Sequence, residues 1–391
     1  MLRRSLSTVA CLAVAATLAV SGSAAASGPL PLPLLPHVPF YPTTTIAASN
    51  HPTPLSGTGK PIQATYTYEG QQRTLADYLS RSSARGFVVV QNDSIVGERY
   101  FAGYSAASRF NSWSVGKSIT ATAVGIAIAE GRIGSVDDPV TRYVGELKGT
   151  GYDGVRIRDV LHMASGHAYD ETDYADPTKG STATTIRMVA GTSLIDQAKE
   201  AERDAPPGTR WNYDSMNTFV LGWVVAKATG HPLSSYVQDK IWQPAGMQTS
   251  ALLGHDYRGS DIAYCCYHAT ARDFARFGLL YLHDGRVGDR QVVPAQWVRD
   301  STHSSEPYLQ PHHLMPESPG SSENNYGYGY QWWLGDGDRG DYVAVGILGQ
   351  YIYVSPKDNV VIVKTSEDLN SEENMGEAIF AFRATADALR R

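Results

Sequence analysis

Ser114 and Lys117 stand three residues apart in Asn111-Ser112-Trp113-Ser114-Val115-Gly116-Lys117-Ser118, and no other lysine of the chain has a serine three positions before it. On a helix this spacing puts both side chains on one face, within hydrogen-bonding reach. A serine hydroxyl is a weak nucleophile until a base takes its proton, and a lysine kept neutral by burial can be that base. Residues 119–129 are apolar nearly all round. That predicts a buried helix, with Ser114 as its cap and Lys117 where a charge is costly. The chemistry implied is nucleophilic catalysis by the serine; the alternative is a capping serine and a snorkelling lysine on an ordinary helix.

A second candidate is Pro206-Pro207-Gly208-Thr209-Arg210-Trp211-Asn212-Tyr213-Asp214-Ser215-Met216-Asn217. A Pro-Gly turn here delivers a short extended segment to the start of a helix, a rigid support for a functional side chain. Tyr213 serves as general acid or base if a nearby ammonium lowers its pKa; otherwise it is a packed aromatic and Asn217 a cap. The third candidate is 344–354, where Gly346 and Gly349 interrupt a strand pattern. Strand glycines mark close approach of a backbone or ligand, and an N–H there, with that of Ser114, can form an oxyanion hole.

These groups need a scaffold, and the pattern of elements supplies one. Residues 87–90 and 94–100 read as a hairpin through Gln91-Asn92-Asp93. Helices are expected at 157–163, 186–203, 218–229, 233–242, 270–282 and 294–302. Strand patterns return at 326–334, 342–347, 351–355 and 360–365, and a last helix spans 373–389. Tyr326, Tyr328, Tyr330 and Trp332 alternate as one core-facing side of a strand. Strands at both ends with helices between predict one antiparallel sheet built from the two chain ends, with an inserted helical lobe.

Residues 1–26 read as a secretory signal: Arg3 and Arg4, an apolar run over 9–20 too short to span a membrane, then small residues to Ala26. An exported, secreted protein is expected. Residues 27–62, rich in Pro and Thr, read as a linker. The hydrolase domain is then 63–391, with an α/β lobe over 63–140 and 303–391 and a helical lobe over 141–302. The net charge of −6, without a basic stripe, excludes nucleic acid and anionic membranes as partners. No obligate protein partner, cofactor or metal is expected; His162, His167, His312 and His313 read as structural or surface residues. Cys265 and Cys266 are neighbours, and adjacent Cα atoms about 3.8 Å apart fall below the usual disulfide span, so they read as two small buried hydrophobes. No Gly-x-Ser-x-Gly elbow or His-Glu-x-x-His is present.

Together, Ser-x-x-Lys, a Pro-Gly-led tyrosine about a hundred residues on, and a glycine-bearing strand near the C-terminus resemble the penicillin-recognising serine hydrolases. That superfamily includes class C β-lactamases, D-alanyl-D-alanine carboxypeptidases, family VIII carboxylesterases and 6-aminohexanoate-dimer hydrolases. The resemblance runs from about Gly86 to Ala386. It takes in Val136-Asp137-Asp138-Pro139-Val140, Leu161-His162-Met163-Ala164-Ser165-Gly166 and Ala271-Arg272-Asp273-Phe274-Ala275-Arg276-Phe277-Gly278. It implies a β-lactamase/transpeptidase-like α/β fold, an antiparallel sheet flanked by helices plus the helical lobe. It also implies Ser114 as acylated nucleophile, Lys117 as its proton partner, and Tyr213 as shuttle to the leaving group and later activator of water. With Gly349 matched to the glycine of the family's Lys/His-Thr-Gly motif, Gln350 donates a backbone N–H to the oxyanion, and Ile347 fills the slot usually held by a cation. Ser215 stands where lactamases have the Asn of Tyr-x-Asn. Both departures weaken penicillin or D-Ala-D-Ala recognition and look more like nylon-oligomer hydrolases and nearby esterases. In those relatives a loop tyrosine closes over substrate, a role open here to Tyr169 or Tyr174. The expected function is hydrolysis of a small amide or ester, on a small-molecule or short-oligomer substrate. The alternatives are a β-lactamase or D-Ala carboxypeptidase, and an acyl-binding protein that does not turn over.

Overall fold

The strands from the two chain ends interleave in one seven-stranded antiparallel sheet. Its order from edge to edge is Tyr326–Tyr328, Trp333–Gly335, Tyr342–Gly346, Gln350–Ser355, Val360–Ser366, Ala84–Gln91 and Ser94–Tyr100. This computed structural model describes residues 37–390 apart from 175 and 319; the expected signal at 1–26 and the start of the expected linker lie outside the described residues. The central strands carry mostly apolar runs because both faces are covered. Val88, Val90, Ile352, Val354, Val361 and Val363 enter one core. Phe87, Val89, Tyr351, Tyr353, Val360 and Ile362 enter the other. The alternation is that of a pleated strand.

The Ala271–Leu282 helix covers the first face, capped by Thr270 Oγ1 accepting the Asp273 N–H at 3.2 Å. It falls inside the span expected for the helical lobe, yet its contacts are with the sheet. Leu75–Arg81 and Ser371–Ala388 cover the second face. Between the two sheet segments, Gly116–Ala129 packs against Ser215–Thr229, and both helices are buried over most of their circumference. Asp214 caps the second of these through the N–H groups of Met216 (2.7 Å) and Asn217 (3.3 Å), so Asn217 is not the cap.

Several expectations are corrected. The helix read at 186–203 is two, Gly180–Val189 and Leu194–Lys199, interrupted where Gly191 takes φ 99. The strand read at 326–334 is a hairpin of two short strands that reverses near Gln331 (φ 62). Tyr330 and Trp332 therefore enter the opposite core from Tyr326 and Tyr328. The expected linker contains a strand, Thr43–Ile46, paired with Ala251–Gly254 in a four-stranded sheet, and Asn111 N donates to His37 Nδ1 at 3.2 Å. Cys265 and Cys266, buried as expected, are joined in a disulfide. Their Cα atoms are 3.7 Å apart, the short spacing expected of neighbours, so that spacing did not exclude the bond; the backbone at Cys266 is left-handed (φ 74).

Candidate active site

Ser114 lies in a 3-10 turn, Trp113–Val115, that runs into the Gly116–Ala129 helix, and its side chain makes no capping bond there. The expected capping role is thus not observed. The preceding residue, Trp113, has φ 43. A bulky residue in this region is uncommon, and such backbone conformations cluster at functional sites. The turn delivers the Ser114 hydroxyl to the wall of a cavity of about 790 Å³.

Lys117 Nζ lies 2.7 Å from Ser114 Oγ, 2.9 Å from Ser215 Oγ and 3.4 Å from the Tyr264 carbonyl oxygen. The residue is 2 % exposed. Burial pulls its pKa down to about 8, against an upward pull from Glu171 and Asp214. A neutral amine is therefore accessible near neutral pH, as a general base requires.

Tyr213 ends the extended segment, with Lys117 Nζ 4.8 Å from its ring centroid and the ring stacked on Trp333 at 5.7 Å. Burial, and then Glu171, push its phenol well above the ordinary pKa, with Ser114 opposing the rise. The direction is opposite to the lowering that a phenolate base requires. Tyr213 is held neutral, suited to donate or relay a proton.

Sequence reasoning missed Glu171. Its carboxylate accepts the Ser215 N–H and the Ser215 hydroxyl, both at 2.7 Å, and the side chain is 7 % exposed. Burial raises its pKa, while Lys117, Ser215 and Ser181 oppose the rise. The link spans 44 positions, and nothing local to Glu171 marks it except its place beside Tyr169 and Tyr174. Ser215, expected at the Asn position, does meet Lys117.

The strand end differs in register from the expectation. A methyl added to Gly346 would lie 3.0 Å from the Ser114 nitrogen, so only glycine fits where this strand meets the serine. Gly349 instead packs on Ser366 and Lys364. Gln350 does not border the cavity: it pairs with Gly346 across the hairpin, and its side-chain amide donates to the carbonyls of Leu348 (3.0 Å) and Ser366 (2.7 Å). Gln350 and Gly349 are therefore not placed where the expected oxyanion role and motif match require; the Gly346-Ile347 segment is the one that lines the cavity next to Ser114.

Tyr169 and Tyr174, the two tyrosines expected to offer a substrate-covering side chain, both line the cavity, and the Tyr169 hydroxyl is tied to Thr184 Oγ1 at 2.8 Å. His167 pairs with Asp214 at 2.8 Å and is buried, a structural role. The charged residues of the lining are mainly acidic: Asp170, Asp204, Glu317, Glu323, Glu372 and Glu373 join Glu171, against Arg210, which pairs with Asp204 at 3.1 Å; Trp211, Met315, Trp333, Val345 and Met375 give it an apolar part. Among the described residues no group of three or more His, Cys, Asp or Glu is placed to hold a metal ion.

A family model described as Beta-lactamase matches residues 72–386. The 6-aminohexanoate-dimer hydrolase of Paenarthrobacter ureafaciens is 30% identical over 336 residues, covering 84% of this chain and 82% of its own. A Bacillus anthracis structure described as a candidate 6-aminohexanoate-dimer hydrolase superposes with TM-score 0.79 at 24% identity, over 90% of this chain and 92% of its own. The structure of EstCE1, a hydrolase with promiscuous acyltransferase activity, gives 0.61 at 15% identity, over 81% and 98%.

Proposed function

The chain belongs to the β-lactamase family and is a serine hydrolase of the amidase or esterase type, and we propose that it cleaves a small amide or ester through an acyl-enzyme on Ser114. The observation that carries the proposal is the 2.7 Å contact between Ser114 Oγ and the buried Lys117 amine. Neutral Lys117 takes the hydroxyl proton as Ser114 Oγ attacks the substrate carbonyl carbon. The resulting oxyanion lies between the Ser114 N–H and a backbone N–H of the Gly346-Ile347 segment. Collapse breaks the carbon–nitrogen or carbon–oxygen bond. The Tyr213 hydroxyl gives its proton to the leaving group and regains one from the Lys117 ammonium. Water then repeats the sequence on the acyl carbon, and Ser114 leaves.

A linear amide is the favoured substrate type, on the strength of the similarity to the Paenarthrobacter hydrolase. A lactamase or D-Ala carboxypeptidase reading has less support, because the cavity wall offers a substrate carboxylate one guanidinium, already paired, among carboxylates. Export rests on residues 1–26 and is tested by N-terminal sequencing of protein recovered from the medium. The central test is multiple-turnover hydrolysis of a nitrophenyl ester and of short linear amides, with mass detection of acylated Ser114. A single burst without turnover would favour an acyl-binding protein instead.

A further inference from the structure

Ser215 presents two hydrogen-bond donors to Glu171, its N–H and its hydroxyl, each 2.7 Å from a different carboxylate oxygen. When Glu171 is ionised its carboxylate only accepts, so the Ser215 proton is committed to it and Ser215 Oγ can only accept from Lys117 Nζ, 2.9 Å away. The Tyr264 carbonyl, 3.4 Å from Nζ, is also only an acceptor. A neutral amine has two N–H bonds and one lone pair. With both N–H bonds directed at Ser215 and Tyr264, the lone pair is left for Ser114 Oγ at 2.7 Å.

We propose that Glu171 is a positioning residue that sets the polarity of this chain, so that Lys117 offers Ser114 a lone pair and not a proton. The proposal rests on the reading of Ser114 as nucleophile and Lys117 as base, and adds what makes Lys117 a base toward Ser114. Once Lys117 has taken the proton, the same two acceptors hold two of its three N–H bonds, and the third faces the reacting oxygen. A carboxamide in place of Glu171 cannot accept both Ser215 donors. Since the Ser215 N–H is fixed and its hydroxyl rotates, the hydroxyl would turn its proton toward Lys117 and occupy the lone pair.

The test is kcat/KM for a nitrophenyl ester as a function of pH in the parent, Glu171→Gln, Glu171→Asp, Ser215→Ala and the Glu171→Gln/Ser215→Ala double variant. Other titratable groups facing Lys117 and Glu171 are Asp214 with its partner His167, Tyr169, Tyr174, Tyr213, Tyr264, Glu323 and Glu372; all are unchanged in the series. Glu171→Gln should lower the high-pH plateau at least about tenfold, part of the usual worth of a general base. Its acid limb should move to lower pH, because a negative neighbour of Lys117 is gone. A residue that merely raised the lysine pKa would move the limb and leave the plateau. Glu171→Asp, which keeps two acceptors, should retain more of the plateau than the amide. In the Ser215→Ala background there is no hydroxyl to reverse, so adding Glu171→Gln should change the plateau less than about twofold.

A Glu171→Gln plateau within twofold of the parent, or losses that multiply in the double variant, overturns the proposal. If Glu171→Gln does not fold, the comparison moves to Ser215. Ser215→Thr at a parent-like plateau with Ser215→Ala at least tenfold lower then supports the proposal, and equal plateaus overturn it. A parent whose turnover survives Ser114→Ala overturns the hydrolase mechanism itself. A parent with Ser114-dependent turnover and an unaffected Glu171→Gln overturns the role of Glu171 alone.

Discussion

Ser215 Oγ and Lys117 Nζ meet at 2.9 Å although 98 positions separate them in the chain. The contact exists because two apolar helices, Gly116–Ala129 and Ser215–Thr229, pack with their first turns beside one another. Each has a polar residue in that first turn, and the packing that buries the helices also takes the lysine out of water. Desolvation of an ammonium is expensive. The burial that holds the two helices together is therefore also what favours the neutral form of the amine.

Ser114→Ala should remove turnover and the acyl-enzyme mass while the protein stays folded. Ser114 caps neither its turn nor the helix, and among the described residues its hydroxyl's hydrogen-bond partner is Lys117 Nζ at 2.7 Å. The stability change should stay within about 1 kcal/mol, the net worth of one hydrogen bond. Parent-like hydrolysis by the variant would show that the nucleophile lies elsewhere.

Activity should rise with pH through about 8, the value to which burial lowers Lys117. The sign follows from the role: the deprotonated amine is the competent form, and it accumulates above the folded-state pKa. Lys117→Ala should lower kcat/KM by about two to four orders of magnitude, the range for loss of a general base. Lys117→Arg should not restore it, since a guanidinium stays protonated. A pH-independent profile from 6 to 9, or an active arginine variant, would reduce Lys117 to a fixed positive charge.

What could be read from the sequence was local. Ser114 and Lys117 are three residues apart, and Tyr213 follows a Pro-Gly turn, so spacing alone raised all three. Glu171 reaches the site only through Ser215 on another element, and no periodicity records that. The glycine that touches Ser114 depends on where a hairpin turns. Gly346 and Gly349 are equally plausible in a string, but the ladder pairing Gly346 with Gln350 leaves the former against the serine. The same limit divided the helix expected at 186–203 and the strand expected at 326–334, since a single left-handed residue outweighs an otherwise continuous pattern. The central strands of the sheet were legible because they are covered on both faces and read as largely apolar runs.

Folding stability should increase from pH 7 to pH 9, and Lys364 should supply part of the slope. Lys364 is fully buried between the rings of Tyr78 (5.2 Å) and Tyr351 (5.3 Å), donates to Ser366 Oγ at 2.9 Å, and burial lowers its pKa to about 7. Between that value and the ordinary lysine value of about 10.4, the unfolded chain binds a proton that the folded chain does not, so stability rises with pH there. Lys117 adds to the rise from about 8 upward. The histidines held near 4 act below pH 6.5, outside the window. Lys364→Met should flatten the difference between urea unfolding free energies at pH 7 and pH 9. An unchanged difference would mean that Lys364 titrates normally.

Substrate charge should decide specificity. With Gly346 at the serine, the position two residues before it, usual place of the family's cation, is Ala344, buried and apolar, while Ile347 lines the cavity. Neither residue can neutralise a carboxylate, and burying one unpaired would cost several kcal/mol. An ammonium meets the opposite situation, because Glu323, Glu372 and Glu373 form no ion pair among the described residues and face the same cavity. Among linear amides that differ only in a terminal group, kcat/KM should fall in the order ammonium, neutral, carboxylate. The first should exceed the last by at least about tenfold, equivalent to about 1.4 kcal/mol in the transition state. The gap should narrow in high salt, since these charges are solvent-reachable. Desolvation at the wall, with Glu323, Asp173, Glu171 and Glu373, raises Glu372 to about 7. Its carboxylate is therefore ionised above that pH and lost below it, so the ammonium preference should grow between pH 6 and pH 8. Glu372→Gln should remove that growth, and Ile347→Lys should shrink the ammonium-to-carboxylate ratio. Hydrolysis of the carboxylate amide, or of a chromogenic cephalosporin, as fast as the ammonium amide would mean that a cation not facing this cavity recognises the substrate, and the charge argument would fail.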